Sequence, residues 1–120
     1  MRIAIDLDGT ILNFSFSEWV SRGMDYFGSP KKGAKQALDL LISDGHEVIV
    51  HTARINETMC NERYSIAGIR CAIDDVLDEH EIRYSSIWTE RGKPLADVYI
   101  DDKGIKFTNW ENVIDELEKK

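Results

Sequence analysis

The 120-residue chain is poor in the residues that staple or stiffen a fold, with only two cysteines and two prolines. Cys60 and Cys71 cannot build a disulfide framework, so a reducing compartment and two small apolar packing residues are expected. His46, His51 and His80 stand at no metal-ligand spacing from either cysteine, which argues against a zinc site. No apolar run approaches the roughly 20 residues of a membrane span. The opening Met1-Arg2-Ile3-Ala4-Ile5 meets Asp6 at once, unlike a signal peptide, so a soluble cytoplasmic protein is expected. Basic residues are in the minority, 15 against 22 acidic, and the net charge of −7 opposes general binding to a nucleic-acid backbone. No repeat, linker or low-complexity tract is present, and 42% hydrophobic content over this length fits a single domain spanning residues 1–120.

Four apolar runs read as strands: Ile3-Ala4-Ile5-Asp6-Leu7, Glu47-Val48-Ile49-Val50-His51-Thr52, Ser86-Ile87-Trp88 and Asp97-Val98-Tyr99-Ile100-Asp101. The second is continuously apolar at its centre, the pattern of a parallel strand covered on both faces. Helical spacing lies between and after them. Ala34, Ala37, Leu38 and Leu41 form one stripe, with Ser29-Pro30 as its start and Gly45 as its stop. Ile69, Ile73, Val76, Leu77 and His80 form a second, extending back toward Asn56, and Trp110, Val113, Ile114 and Leu117 form a third behind a capping Asn109. The acidic run from Asp74 to Glu81 falls opposite the second stripe and reads as a solvated face. Residues 12–33 are the least regular; Phe14 and Phe16 alternate like a hairpin arm, a helical turn is expected at Trp19-Val20, and the aromatics are read as local core ahead of substrate contacts.

Alternating strands and helices predict an α/β, mostly parallel sheet with its ligand site beyond the carboxyl ends of the strands. The polar residues gather there: Asp6, Asp8 and Thr10 after the first strand, Thr52 after the second, Asp101 and Asp102 after the fourth. Carboxylates crowded on one rim repel one another, and a divalent cation relieves this. Oxygen ligands favour a hard ion, and Mg²⁺, which keeps several waters, suits a shell shared with phosphate. Lys93, in the loop Arg91-Gly92-Lys93-Pro94, brings a charge to offset a phosphoryl group. Thr52, together with the turn at Gly9-Thr10, offers hydroxyl and amide groups for phosphate oxygens in the manner of an anion nest. Arg54 reads equally as a contact for a second anionic group or as half of a surface ion pair.

Asp6-Leu7-Asp8-Gly9-Thr10 resembles the first motif of the haloacid dehalogenase (HAD) superfamily of phosphohydrolases. The other three motifs follow in family order: Thr52 after Val48-Ile49-Val50-His51, Lys93 before Pro94, and Asp101-Asp102 after Tyr99-Ile100. The resemblance implies a three-layer Rossmann-like domain and a Mg²⁺-dependent phosphatase acting through an aspartyl-phosphate on Asp6. It implies Asp8 as acid and base, with its backbone carbonyl on the metal, and Thr52 and Lys93 as stabilisers of the transferring group. The metal set it implies is Asp6, Asp8, Asp101 and Asp102, with Asp101 the main second carboxylate and Asp102 a ligand or an orienter of metal-bound water. Substrate and phosphate contacts fall to Gly9, Thr10, Thr52, Ala53, Arg54 and Lys93.

About 40 residues separate Thr10 from Thr52 and Thr52 from Lys93, too few for an inserted cap domain, so a capless member is expected. Its site would be open, which implies a large substrate such as a nucleic-acid end or a phosphoprotein, or a homo-oligomer that covers it; the turn Lys93-Pro94-Leu95-Ala96-Asp97 leading into Tyr99-Ile100-Asp101-Asp102-Lys103 resembles small phosphatases and implies a small phosphorylated metabolite such as a sugar phosphate. A phospho-accepting switch or a silent binding module uses similar residues. Switches of the receiver type place the acid pair first and the accepting Asp at mid-chain, the reverse of the order here.

Overall fold

The structure, a computed structural model, describes residues 1–56 and 64–120. Strand β1 (Arg2–Asp6) is followed by helix α1 (Phe16–Arg22), a 3₁₀ turn at Gly23–Asp25, helix α2 (Ala34–Ser43), strand β2 (Glu47–His51), helix α3 (Ile66–Glu79), the short strands β3 (Ser86–Ile87) and β4 (Val98–Ile100), and helix α4 (Trp110–Glu118). Among the described residues these strands pair in parallel, in the order β3-β2-β1-β4. This is the expected α/β architecture, Rossmann-like and capless. The chain runs β1, β2, β3 to one side and then crosses back to lay β4 on the other side of β1. The strand order therefore reverses beside β1, the position where such sheets open a ligand crevice.

Side chains alternate across β1, so Ile3, Ile5 and Leu7 face one way with their neighbours Val48 and Val50. They meet Ala34 and Leu38 of α2 and Ile69, Ile73 and Leu77 of α3 in one buried cluster. Ala4 and Ile49, on the opposite face, are also fully buried, which accounts for the unbroken apolar run of β2.

Several local expectations change. The stretch at Ser29-Pro30 does not start α2; it lies extended beside residues 11–13, with Asn13 N–H donating to the Ser29 carbonyl and Lys31 N–H to that of Ile11. The helix begins four residues later, after Gly33 in a left-handed conformation (φ 84°). Phe16 belongs to no hairpin arm, because Ser15 caps α1 by accepting from Glu18 N–H. His80 is the C-cap of α3 and lies beyond its apolar stripe, and Cys71 is exposed instead of packed. Cys60, and the backward extension of α3 toward Asn56, lie outside the described residues. Asn109 does cap α4, accepting from Asn112 N–H at 2.8 Å, but Trp110, Ile114 and Leu117 remain exposed. Among the described residues no helix is long and apolar enough to cross a membrane.

Candidate active site

Register brings the carboxyl ends of three strands level. Asp6 pairs with His51, and Ile5 lies between Val50 and Ile100, so Asp6, Thr52 and Asp101 emerge along one rim. The turn after β1 is wound about buried Leu7, whose carbonyl accepts from the N–H groups of Ile11 (3.0 Å) and Leu12 (2.9 Å). Gly9 (φ 86°) occupies a conformation that other residues rarely adopt, and a Cβ there would run into the Asp102 carboxylate. The missing side chain thus lets the turn after β1 touch the loop after β4.

That turn forms no anion nest. Gly9 N–H donates to the Leu12 carbonyl (2.7 Å) and Thr10 N–H points at that of Leu7 (3.4 Å), so both amides serve the turn itself. What Thr10 offers is its hydroxyl, which is buried and meets no partner among the described residues.

A cavity of about 400 Å³ opens above the rim, lined by Asp6, Asp8, Phe14, Trp19, Ala53, Arg54, Asn56, Asp102 and Lys103. A second, of about 690 Å³, shares Ala53 and Asn56 with it and holds Thr52 and Lys93. Most of the expected residues therefore divide between two adjoining hollows, while Gly9, Thr10 and Asp101 line neither. Asp102, not Asp101, lines the carboxylate hollow. Asp101 Oδ1 instead accepts from the N–H groups of Lys103 (3.1 Å) and Gly104 (2.5 Å), closing its own loop. Lys93 Nζ lies 3.8 Å from the centre of the Tyr99 ring.

Burial pushes the Asp6 carboxyl up from 3.8 to about 6, and the negative charges of Asp102, Asp8 and Asp101 add to the rise against an opposing hydrogen bond from the Leu7 N–H. His51, beside it on β2, is moved the other way by burial and then by the Lys93 charge, so its neutral form is favoured.

Arg54 forms no surface pair. Its side chain is 3% exposed, and Nε and Nη2 donate to the two oxygens of Asp8 at 2.7 and 2.9 Å. Nη1 donates to the Met24 carbonyl (3.2 Å), and the guanidinium lies 4.9 Å from the Trp19 ring centre and 4.3 Å from that of Phe27. The Arg54 backbone N–H donates to Thr52 Oγ1 (3.1 Å). Sequence reasoning missed Trp19 and Phe14 as cavity walls. The signal was the aromatic density directly after the acidic turn, read as core.

Among the described residues, no three carboxylate, imidazole or thiol groups form a cage for a metal. A Mg²⁺ ion needs less, since it commonly takes one or two carboxylates and keeps its waters. Asp6 and Asp102 on one cavity wall, with mutual repulsion that a cation would relieve, fit that requirement.

No protein-family model matches the chain, and no curated protein matches it. Solved structures do. A conserved protein from Bacteroides thetaiotaomicron is similar at 21% identity and a TM-score of 0.57, over 99% of this chain and 90% of that one. A structural-genomics target from Vibrio cholerae is similar at 20% identity and a TM-score of 0.53, over 98% and 97%. At these identities the likeness establishes the fold alone. A D,D-heptose 1,7-bisphosphate phosphatase from B. bronchiseptica, crystallised with magnesium and phosphate, is similar at 13% identity and a TM-score of 0.48 over 98% of this chain and 63% of that one, a likeness too slight to carry an argument.

Proposed function

We propose that the chain is a Mg²⁺-dependent phosphatase that hydrolyses a phosphate monoester of a small metabolite, such as a sugar phosphate, through an aspartyl-phosphate on Asp6. The observation that carries this reading is one cavity at the strand-order reversal that holds Asp6, Asp8 and Asp102 together. The ordered resemblance to the HAD motifs supports it. Asp6 and Asp102 would hold the cation together with the Asp8 carbonyl, and Mg²⁺ when bound supplies the positive charge that keeps Asp6 ionised beside an incoming phosphate.

An Asp6 oxygen attacks phosphorus as the bond to the leaving oxygen breaks, and Asp8 gives that oxygen its proton; water then attacks the aspartyl-phosphate and returns a proton to Asp8, releasing inorganic phosphate and restoring the Asp6 carboxylate. Asp8 accepts from Arg54 through both oxygens, which holds its carboxyl in place for both proton transfers. Thr52 and Lys93 act from the adjoining hollow on the phosphoryl oxygens and offset their charge. The partner is a phosphorylated small molecule, because the hollows are sized for one and the net charge of −7 opposes a polyanion.

The test is phosphate release from an aryl phosphate and from a panel of sugar phosphates, nucleotides and a phosphopeptide, with and without Mg²⁺, for the natural chain and Asp6→Asn. Release that requires Mg²⁺ and disappears in Asp6→Asn is expected. No release from any of them, with a lasting phosphoryl adduct on Asp6 after treatment with an acyl phosphate, would point to a switch.

A further inference from the structure

The Arg54 side chain makes three hydrogen bonds and two ring contacts among the described residues, and none of them requires a substrate. A guanidinium donates in a fixed plane. Here one edge of that plane grips both oxygens of Asp8, Nη1 holds the Met24 carbonyl, and Trp19 and Phe27 lie within 5 Å of the guanidinium. Trp19 lines the carboxylate cavity, Met24 and Phe27 follow it on the same segment, and Asp8 belongs to the turn after β1. Through its backbone N–H, Arg54 also fixes the hydroxyl of Thr52.

We propose that Arg54 is a positioning residue that fixes the Asp8 carboxylate and, through the same guanidinium, clamps residues 16–27 over the cavity, so that proton transfer and site closure depend on one side chain. This rests on the phosphatase reading for its kinetic consequence but not for the clamp. A carboxylate fixed through two bonds cannot rotate away from the reacting atoms, and a small misplacement of a proton-transfer group is costly to rate. Lysine cannot substitute: its ammonium has neither the fork nor the flat faces. Nor is this a substrate contact. An arginine 3% exposed, with each of its three guanidinium nitrogens already donating, has little left for an incoming anion.

The experiment uses the full chain with Arg54→Met, which keeps an unbranched apolar stem between Trp19 and Phe27, alongside Arg54→Ala and Arg54→Lys. Two readouts are taken: amide hydrogen exchange of residues 16–27, and kcat and KM for the best phosphate ester. Exchange in 16–27 is expected to accelerate at least tenfold in all three variants while residues 47–51 stay protected, which also shows that the variants are folded. With the ester, kcat is expected to fall about 100-fold with KM changed less than threefold, near the lower end of what a placed acid–base group contributes. Free guanidinium should restore part of the lost kcat in Arg54→Ala and none in Arg54→Lys; a merely structural role would show no such rescue. Unchanged exchange in 16–27 overturns the clamp. A raised KM with kcat intact makes Arg54 a substrate contact and overturns the positioning role. Should the natural chain release no phosphate at all, the phosphatase reading fails, and exchange alone decides the clamp.

Discussion

Replacing Asp6 by asparagine should make the metal-free protein more stable while abolishing its activity. Burial and three neighbouring carboxylates raise the Asp6 pKa in the fold from 3.8 to about 6. The folded state therefore binds the proton more tightly than the unfolded chain. The stability this group allows is fully present below about pH 3.8 and is lost as pH rises through about 6. At pH 8 the ionised carboxylate disfavours folding by about 3 kcal/mol at 1.36 kcal/mol per pH unit; water reaching this half-buried group screens that to about 1–2 kcal/mol. Asparagine keeps the shape and carries no charge, so it removes this penalty. The gain corresponds to roughly 4–10 °C in Tm for a domain of this size, shrinking to about half at pH 5, where the folded-state group is mostly protonated already. Thermal and urea unfolding followed by circular dichroism in EDTA, at pH 8 and pH 5, measures it. An Asp6→Asn protein less stable than the natural one at pH 8, or equally stabilised at both pH values, would refute the reasoning.

Adding Mg²⁺ should raise the Tm of the natural chain by an amount that grows with concentration and is reversed by EDTA; Asp6→Asn and Asp102→Asn should lose most of the shift in the same melts. Gly9→Ala should cost about 1–3 kcal/mol from the strained φ of 86° and the displaced Asp102 carboxylate, with activity falling further than stability; urea midpoints beside phosphate release check both. His51 is favoured in its neutral form by burial and Lys93, so its folded pKa lies below the ordinary value; its contribution is present above about pH 6.5 and is lost as pH falls. His51→Gln should accordingly lose less stability than the natural chain between pH 7 and pH 5, in paired urea titrations.

Much of this fold is legible in short stretches because periodicity is a local property. Ile3 to Leu7 and Val48 to Val50 declare buried strands, Asn109 declares a helix start, and the acids that follow the strands declare which end of the sheet is chemical. The acids after β1 and β4 and Thr52 after β2 read from the sequence as one rim, and the register brings those strand ends level, but that Asp102 and not Asp101 lines the carboxylate hollow is not legible there. What stayed hidden depends on pairing at a distance. Arg54 and Asp8 lie 46 positions apart, and nothing beside either names the other. Ser29-Pro30 looks like a helix start until Asn13 and Ile11 take up its neighbouring backbone groups. Phe14 and Trp19 look like core because aromatic area usually is core, and only the folded path of residues 14–19 brings them to the cavity. The apolar stripe of α4 is equally real in sequence, yet amphipathic spacing does not itself bring a helix onto a sheet.

Among the described residues, the outer strands of the sheet have two and three residues and the inner pair five each. An edge so brief exposes few unpaired backbone donors and acceptors, and a foreign strand laid against it would gain only a few ladder bonds. The parallel core therefore carries its own defence against strand-by-strand accretion, one that charge on the surface need not supply. Lengthening β3 or β4 by a few extended, apolar residues would remove that defence while leaving the acidic rim untouched.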